Sequence, residues 1–217
     1  MSKIPKGWEI KKLGEVFQIK PPKKEAKEKL RDNDLVTFLP MEDLGIASKE
    51  IQPTQTRFLK EVAGSYTYFA ENDVLLAKIT PCFENGKVGI AKNLINGIGF
   101  GSSEYIVFRS TGDIEPDFLF YFLSSEHFRG EGKKNMGGAV GHQRVSRDWI
   151  ENYLIPFPKS LEEQLAIVRQ LDTLRAETQK LESVYQKKIA CLEELKMSVL
   201  ERAFNSTFAK KLVFTNY

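Results

Sequence analysis

Ser160-Leu161-Glu162-Glu163-Gln164-Leu165-Ala166-Ile167 is the stretch from which the organisation of this chain is read. Ser160 and Glu163 form a capping-box pattern, in which hydroxyl and carboxylate each take an orphan backbone N–H at a helix start. Pro156 and Pro158 stand just before it and have no place in a helix interior. From Leu161 to Phe204 there is neither Gly nor Pro. The pattern predicts one helix from Ser160 to Asn205, about 65 Å long, which is more than one compact domain needs.

Outward from that start, the apolar residues fall into two seven-spaced columns. One holds Leu171, Thr178, Tyr185, Leu192 and Val199; the other holds Leu174, Leu181, Lys188, Leu195 and Arg202. Their offset alternates three and four, as the a/d seam of a coiled coil requires, with Thr178, Lys188 and Arg202 as polar interruptions. A lone helix would leave this stripe in water. The reading therefore favours a partner helix, with Leu171, Leu174, Leu181, Tyr185, Leu192, Leu195 and Val199 as the contacts. The alternative is a helix broken near Asp172-Thr173 and folded back on its own domain.

The 217 residues suffice for one domain plus an extension, and 41% hydrophobic with 28% charged residues describes a soluble globular protein. No apolar run is long enough to cross a bilayer, and the charged N-terminus does not read as a signal peptide. Cys82 and Cys191 lie far apart, so neither a disulfide framework nor a zinc site is expected, and a reducing cytoplasm is the default. The net charge of +3 is small, but its distribution is uneven. Arg129 to Arg147 holds five basic residues and one acidic, with His142; Lys20 to Arg31 holds six basic and two acidic. The second segment reads as a solvated loop with a helical turn.

Ahead of the long helix, Ile4-Pro5-Lys6-Gly7-Trp8 reads as a turn with an aromatic anchor, and Leu13 to Ile19 as a strand. Residues 35–39, 74–79, 86–91 and 105–108 are further strands, and Asn85-Gly86 and Asn96-Gly97 are turns. Gly97-Ile98-Gly99-Phe100-Gly101 suits a tight strand edge better than a nucleotide loop. Pro116 opens an aromatic helix over 118–128, followed by a glycine-rich basic loop with Lys133, Lys134, Asn135, Gln143 and Arg144. The fold class is α+β: a mixed sheet and helix domain over 1–158, a protruding coiled-coil-forming helix over 159–205 and a tail over 206–217.

No catalytic or metal-binding constellation emerges. Cys82, between Pro81 and Phe83, reads as packed rather than as a nucleophile paired with His142. There is no P-loop, and Leu154-Ile155-Pro156-Phe157-Pro158 lacks the adjacent prolines of an adenine methyltransferase signature. What remains suits recognition. Lys78, Thr80, Asn85 and Lys87 surround one turn, and Lys133, Lys134, Asn135, Gln143 and Arg144 lie on the glycine-rich loop. Arg and Lys reach guanine O6 and N7, and Asn and Gln pair with adenine.

The order of motifs resembles the target-recognition domain of type I restriction–modification specificity subunits. The resemblance runs from Pro5-Lys6-Gly7-Trp8 and Leu13-Gly14 through Lys78-Ile79-Thr80-Pro81-Cys82, Asn85-Gly86-Lys87 and Gly101-Ser102-Ser103-Glu104. It continues through Gly137-Gly138, Gln143-Arg144-Val145, Ile155-Pro156-Phe157-Pro158, Leu161-Glu162-Glu163-Gln164 and Ile167 to Leu195, Ser198-Val199-Leu200 and Ala203-Phe204. A Gly and a Leu usually follow that last pair in the family; here Asn205-Ser206-Thr207-Phe208 intervene, with Asn205 as a candidate αL cap.

The resemblance implies a non-catalytic DNA-binding subunit that reads one half of a split double-stranded target and holds modification subunits. In that family two recognition domains alternate with two helices that pair antiparallel as a spacer. One of each here implies a half-subunit completed by a second copy, reading an interrupted palindrome. S-adenosylmethionine would sit on the partner adenine methyltransferase, a restriction subunit is a further expected partner, and no cofactor or membrane contact is implied for this chain. Two rival readings are a coiled-coil adaptor without DNA specificity and an enzyme using Cys82 and His142. A third, within the family, is a specificity subunit that needs a different partner half.

Overall fold

The computed structural model describes residues 4–46, 48–139 and 141–214, with side chains as far as Phe204. In chain order the elements begin β1 (Trp8–Lys12), α1 (Leu13–Val16), β2 (Phe17–Ile19), α2 (Lys24–Lys29), β3 (Leu35–Leu39), β4 (Gln55–Phe58), α3 (Leu59–Val62) and β5 (Thr67–Ala70). Next come β6 (Val74–Ala77), β7 (Val88–Ile90), β8 (Ile98–Gly101), β9 (Tyr105–Ser110), α4 (Pro116–Ser124) and α5 (Glu126–Lys134). The last are β10 (Met136–Gly137), β11 (Arg144–Val145), α6 (Arg147–Asn152), β12 (Leu154–Pro158) and α7 (Leu161–Phe214). The chain divides into two compact units, one ending at Val168 and the other starting at Arg169.

Two four-stranded sheets form the first unit, in the orders β2-β9-β6-β7 and β4-β3-β8-β5. All pairs are antiparallel except β3 with β8. The first sheet buries Phe17, Leu76, Val88 and Phe108 with Leu119, Phe120 and Phe128 from α4 and α5. On the second, Val36 and Phe100 pack with Ala26 of α2 and with Leu59 and Val62 of α3. β1 and β12 form a separate two-stranded ribbon from Trp8 opposite Pro158 to Lys12 opposite Leu154. Among the described residues no third strand joins it, so the prolines at 156 and 158 cost no interior ladder bond. The opening turn is as expected: the Trp8 N–H donates to the Pro5 carbonyl at 3.2 Å, and Gly7 has φ +91°.

Several sequence expectations are corrected. Leu13 to Ile19 is a helical turn and then a strand, because the Glu15 carboxylate accepts the Lys12 N–H and the buried Leu13 and Val16 stand one turn apart. The aromatic helix breaks at Ser125, whose hydroxyl caps α5 by accepting the Phe128 N–H at 3.3 Å. α5 then runs through Gly130 and Gly132 to Lys134; a Cβ on Gly132 would lie 2.2 Å from the Phe83 ring. The glycine run at 97–101 is no edge, since β8 lies between β3 and β5. Gly99 and Gly101 are needed there, because a Cβ would come within 2.1 Å of Phe69 and 2.4 Å of the Leu39 carbonyl oxygen.

α7 is also only partly as expected. The Ser160 hydroxyl accepts the Glu163 N–H at 3.3 Å, but the Glu163 carboxylate is taken by the Trp8 indole N–H at 3.0 Å. Fully buried Gln164 donates to the carbonyls of Asp113 and Pro158 and accepts the Glu115 N–H. The helix is unbroken at Asp172-Thr173 and passes Asn205 to reach Phe214, since neither Gly nor Pro interrupts that run. Of the seam residues, Leu174, Leu181, Tyr185, Leu192, Leu195 and Val199 are 57–64% exposed, and Leu171 is half-buried.

Candidate nucleic-acid interface

The two stretches with recognition chemistry meet through the backbone. Ile79 bridges to Arg144; the Thr80 N–H donates to the Gln143 carbonyl at 2.9 Å, and the Val145 N–H to the Lys78 carbonyl at 3.0 Å. This pairing places Lys78 and Arg144 on a cleft of ≈390 Å³ that Lys20, Lys23 and Arg147 also line, with Tyr66, Tyr68 and Tyr105 as its aromatic walls. Two basic segments more than a hundred residues apart in sequence therefore face one space.

The electrostatics around this cleft are specific. Glu104 takes Arg144 in a two-bond fork of 2.9 and 2.8 Å and stands 3.8 Å from the Lys78 ammonium. The Arg144 hydrogen bond is the main reason the Glu104 carboxyl is held below its ordinary range; burial opposes it, and the charges of Lys78 and Arg144 add to it. Lys78 also donates to the Ser103 carbonyl, and Arg144 to that of His142. Lys23 donates to the Gly64 carbonyl at 2.7 Å. Burial first, then repulsion from Lys20 and Lys27, pushes its pKa down, as a concentration of positive charge requires. Arg147 is held by Glu151 at 2.5 Å. Lys20 begins the segment in the left-handed region at φ 60°, an uncommon conformation for a side-chain-bearing residue.

The other expected contact residues fall elsewhere. Lys87 is spent on the carbonyls of Met41, at 2.8 Å, and Glu42, at 3.4 Å, which fastens the loop after β3. The Thr80 hydroxyl engages Glu84 at 3.2 Å, and Asn85 is exposed at the tip of the turn. Gln143 contributes its backbone carbonyl, and its side chain is half-buried. Lys133 and Lys134 end helix α5 instead of lying on a loop, with Lys134 paired to Glu131 at 2.7 Å. Asn135 lines a different hollow, beside His127, Trp149 and Tyr153. Lys20, Lys23 and Arg147 belong to no expected contact set; the charge run at 20–31 is the one sequence signal for the two lysines.

Among the described residues no cluster of three His, Cys, Asp or Glu side chains could hold a metal ion. Among them, too, no helix is long and apolar enough to cross a membrane.

The fold recurs in known structures. A chain from a type I restriction–modification complex superposes with a TM-score of 0.67 at 23% identity, covering 94% of this chain and 47% of that one. The HsdS subunit from Thermoanaerobacter tengcongensis gives 0.65 at 21% identity, covering 84% and 45%. Among curated proteins, the Escherichia coli type I restriction enzyme EcoEI specificity subunit is 35% identical over 161 residues, 74% of this chain and 26% of that protein. The EcoAI specificity subunit of the same organism is 36% identical over 167 residues, 76% of this chain and 28% of that protein. The chain thus spans about a quarter of the length of these two relatives. Residues 5–190 match the family described as "Type I restriction modification DNA specificity domain". A match over that span, together with these relatives, makes this chain a member of the type I restriction–modification DNA specificity family.

Proposed function

We propose that this chain reads one half of a bipartite double-stranded DNA target for a type I restriction–modification complex, and that two copies pair through α7. The observation that carries the first part is the cleft where Lys20, Lys23, Lys78, Arg144 and Arg147 meet. Cations gathered on one concave surface attract phosphates and release counterions, which makes the affinity strongly salt-dependent. In this reading the chain is a template. A partner adenine methyltransferase subunit flips the target base and supplies S-adenosylmethionine, and a restriction subunit is a further partner. The exposed seven-spaced stripe of α7 supports pairing with a second copy, since a two-fold contact presents the same stripe from both sides.

The test is the methylation pattern of DNA from cells expressing this chain with its modification subunit, read by long-read sequencing. An interrupted palindrome is expected. An asymmetric motif would retain DNA reading and discard the homodimer. Unmethylated DNA, despite a soluble co-purifying complex, would replace DNA reading with the coiled-coil adaptor.

A further inference from the structure

Tyr66 lines the basic cleft and also a second, open hollow of ≈510 Å³, which Gln55 and Arg57 of β4 line as well. The serine pair of the turn before β9 joins the two spaces, Ser103 on the cleft and Ser102 on the hollow. β4 is the outer strand of its sheet. Residues two apart on a strand share a face, and the register sets Gln55 opposite Phe38 and Arg57 opposite Val36. Gln55 and Arg57 therefore stand side by side on the hollow's wall.

Their side chains are prepared in a particular way. The Arg57 guanidinium lies over the Phe38 ring at 4.7 Å from its centroid, and Tyr66 meets that ring edge-on at 4.8 Å. Arg57 also reaches the Gln55 side-chain oxygen at 3.4 Å, a weak bond that is easily given up. Among the described residues no carboxylate forms an ion pair with Arg57, although Glu42 lines the same hollow. Arg57 is exposed and Gln55 half-buried. This is a planar cation stacked on an aromatic face, its fork of donors not committed to an acid, next to an amide. Arg pairs bidentately with the major-groove edge of guanine, and Gln with that of adenine.

We infer that Gln55 and Arg57 form a second reading site, which contacts purine edges in the major groove while the neighbouring basic cleft holds the phosphate backbone. The division of labour follows from the residue types. The cleft offers three lysines, which are point charges, and two arginines already paired with Glu104 and Glu151, whereas the hollow offers a stacked fork paired with no acid and an amide. The inference rests on the DNA reading proposed above.

The experiment is selection of binding sites from a duplex library with a random core, using the full chain co-expressed with its modification subunit. Wild type, Arg57→Lys and Gln55→Ala are compared, and thermal melting confirms that each variant is folded. Arg57→Lys keeps a cation over the ring and loses the fork. It is expected to relax one base-pair position by about 5- to 150-fold while leaving the salt dependence unchanged. Gln55→Ala is expected to relax a neighbouring position. An unchanged selected motif in both variants overturns the inference and leaves DNA reading standing. So does weakening that is uniform across all sequences, which would make Arg57 a contact that reads no base. If wild type itself selects no motif, the DNA reading fails and this inference falls with it.

Discussion

Arg144 and Glu104 form a two-bond fork at the rim of the basic cleft, and the same carboxylate stands 3.8 Å from Lys78. One acid therefore offsets two cations that a DNA phosphate would otherwise use. Replacing Glu104 by Gln keeps a hydrogen-bond acceptor and removes the competing charge. E104Q is expected to bind random duplex more tightly than wild type, with a salt dependence steeper by about one unit. Because Arg144 is solvent-exposed, stability should change by less than about 1 kcal/mol. Fluorescence anisotropy over a salt series reads both quantities; unchanged or weaker binding would contradict this view of Glu104.

The same fork sets a pH window. Arg144 holds the Glu104 carboxyl below the ordinary value of 4.5. A carboxyl lowered on folding contributes stability above its unfolded pKa and loses it as pH falls through the folded value. The stability difference between wild type and E104Q should therefore stay constant from neutral pH down to about 4.5 and shrink only below it. Urea unfolding at a series of pH values measures this. A difference that fades between neutral pH and 5 would place the relevant titration elsewhere.

Deeper in the domain, Arg109 grips Asp73 through two bonds of 2.8 Å and reaches Glu25 on α2, while Tyr68 donates to the same glutamate. Burial pushes the Asp73 carboxyl up, opposed by the Arg109 bonds and by the Ala70 N–H. Its side chain is 1% exposed, so Arg109→Leu leaves a buried acid without its cation. That is expected to cost about 3–5 kcal/mol in chemical denaturation, and adding Asp73→Asn should recover part of it. A single-variant loss below about 1 kcal/mol would show that water reaches Asp73. The double variant separates charge from packing.

Much of this architecture is readable from local pattern, and the reason differs by element. Leu35–Leu39 and Tyr105–Phe108 are apolar runs between turn formers, so their strand character is local. The start of α7 is local too, since Ser160 caps it. The second half of that capping box is not readable, because Glu163 is claimed by Trp8, 155 residues away. The cleft follows the same logic. Lys78 and Arg144 carry motif signals, whereas Lys20 and Lys23 look like solvated charge. Only the placement of β2 beside β9 and of β11 beside Ile79 brings them together. The bond from Lys87 to the Met41 carbonyl is not readable either, because the two residues lie far apart in sequence.

Gly99 offers a sharper test of the second sheet. A Cβ there would lie 2.1 Å from a carbon of the fully buried Phe69 ring, inside a strand paired on both sides. Gly99→Ala should cost about 1–3 kcal/mol or more through overpacking. Gly130, within α5, is the control, since a Cβ added there would meet nothing within 4 Å. Gly130→Ala should stabilise by about 0.5–1 kcal/mol, since Ala restricts the unfolded chain and favours helix. Melting curves of the two variants should move in opposite directions; equal shifts would mean the close approach at Gly99 is relieved at no cost.

The helix α7 supplies the last test. Leu181 and Leu192 belong to different columns of the seam, are 57% and 64% exposed, and take no part in the buried clusters of the first unit. Leu181→Glu with Leu192→Glu puts acids into both columns, where a paired seam would have to desolvate them. Sedimentation at micromolar concentration should find wild type dimeric and the variant monomeric. Melting of the first unit should be unchanged, because none of its core contacts is touched. Binding to a duplex carrying one half-site should survive, while the gain from a second half-site on the same duplex should disappear, because that gain depends on tethering two recognition units. A variant that remained dimeric would move the pairing surface off this stripe, and a wild-type monomer would remove the basis for a palindromic target.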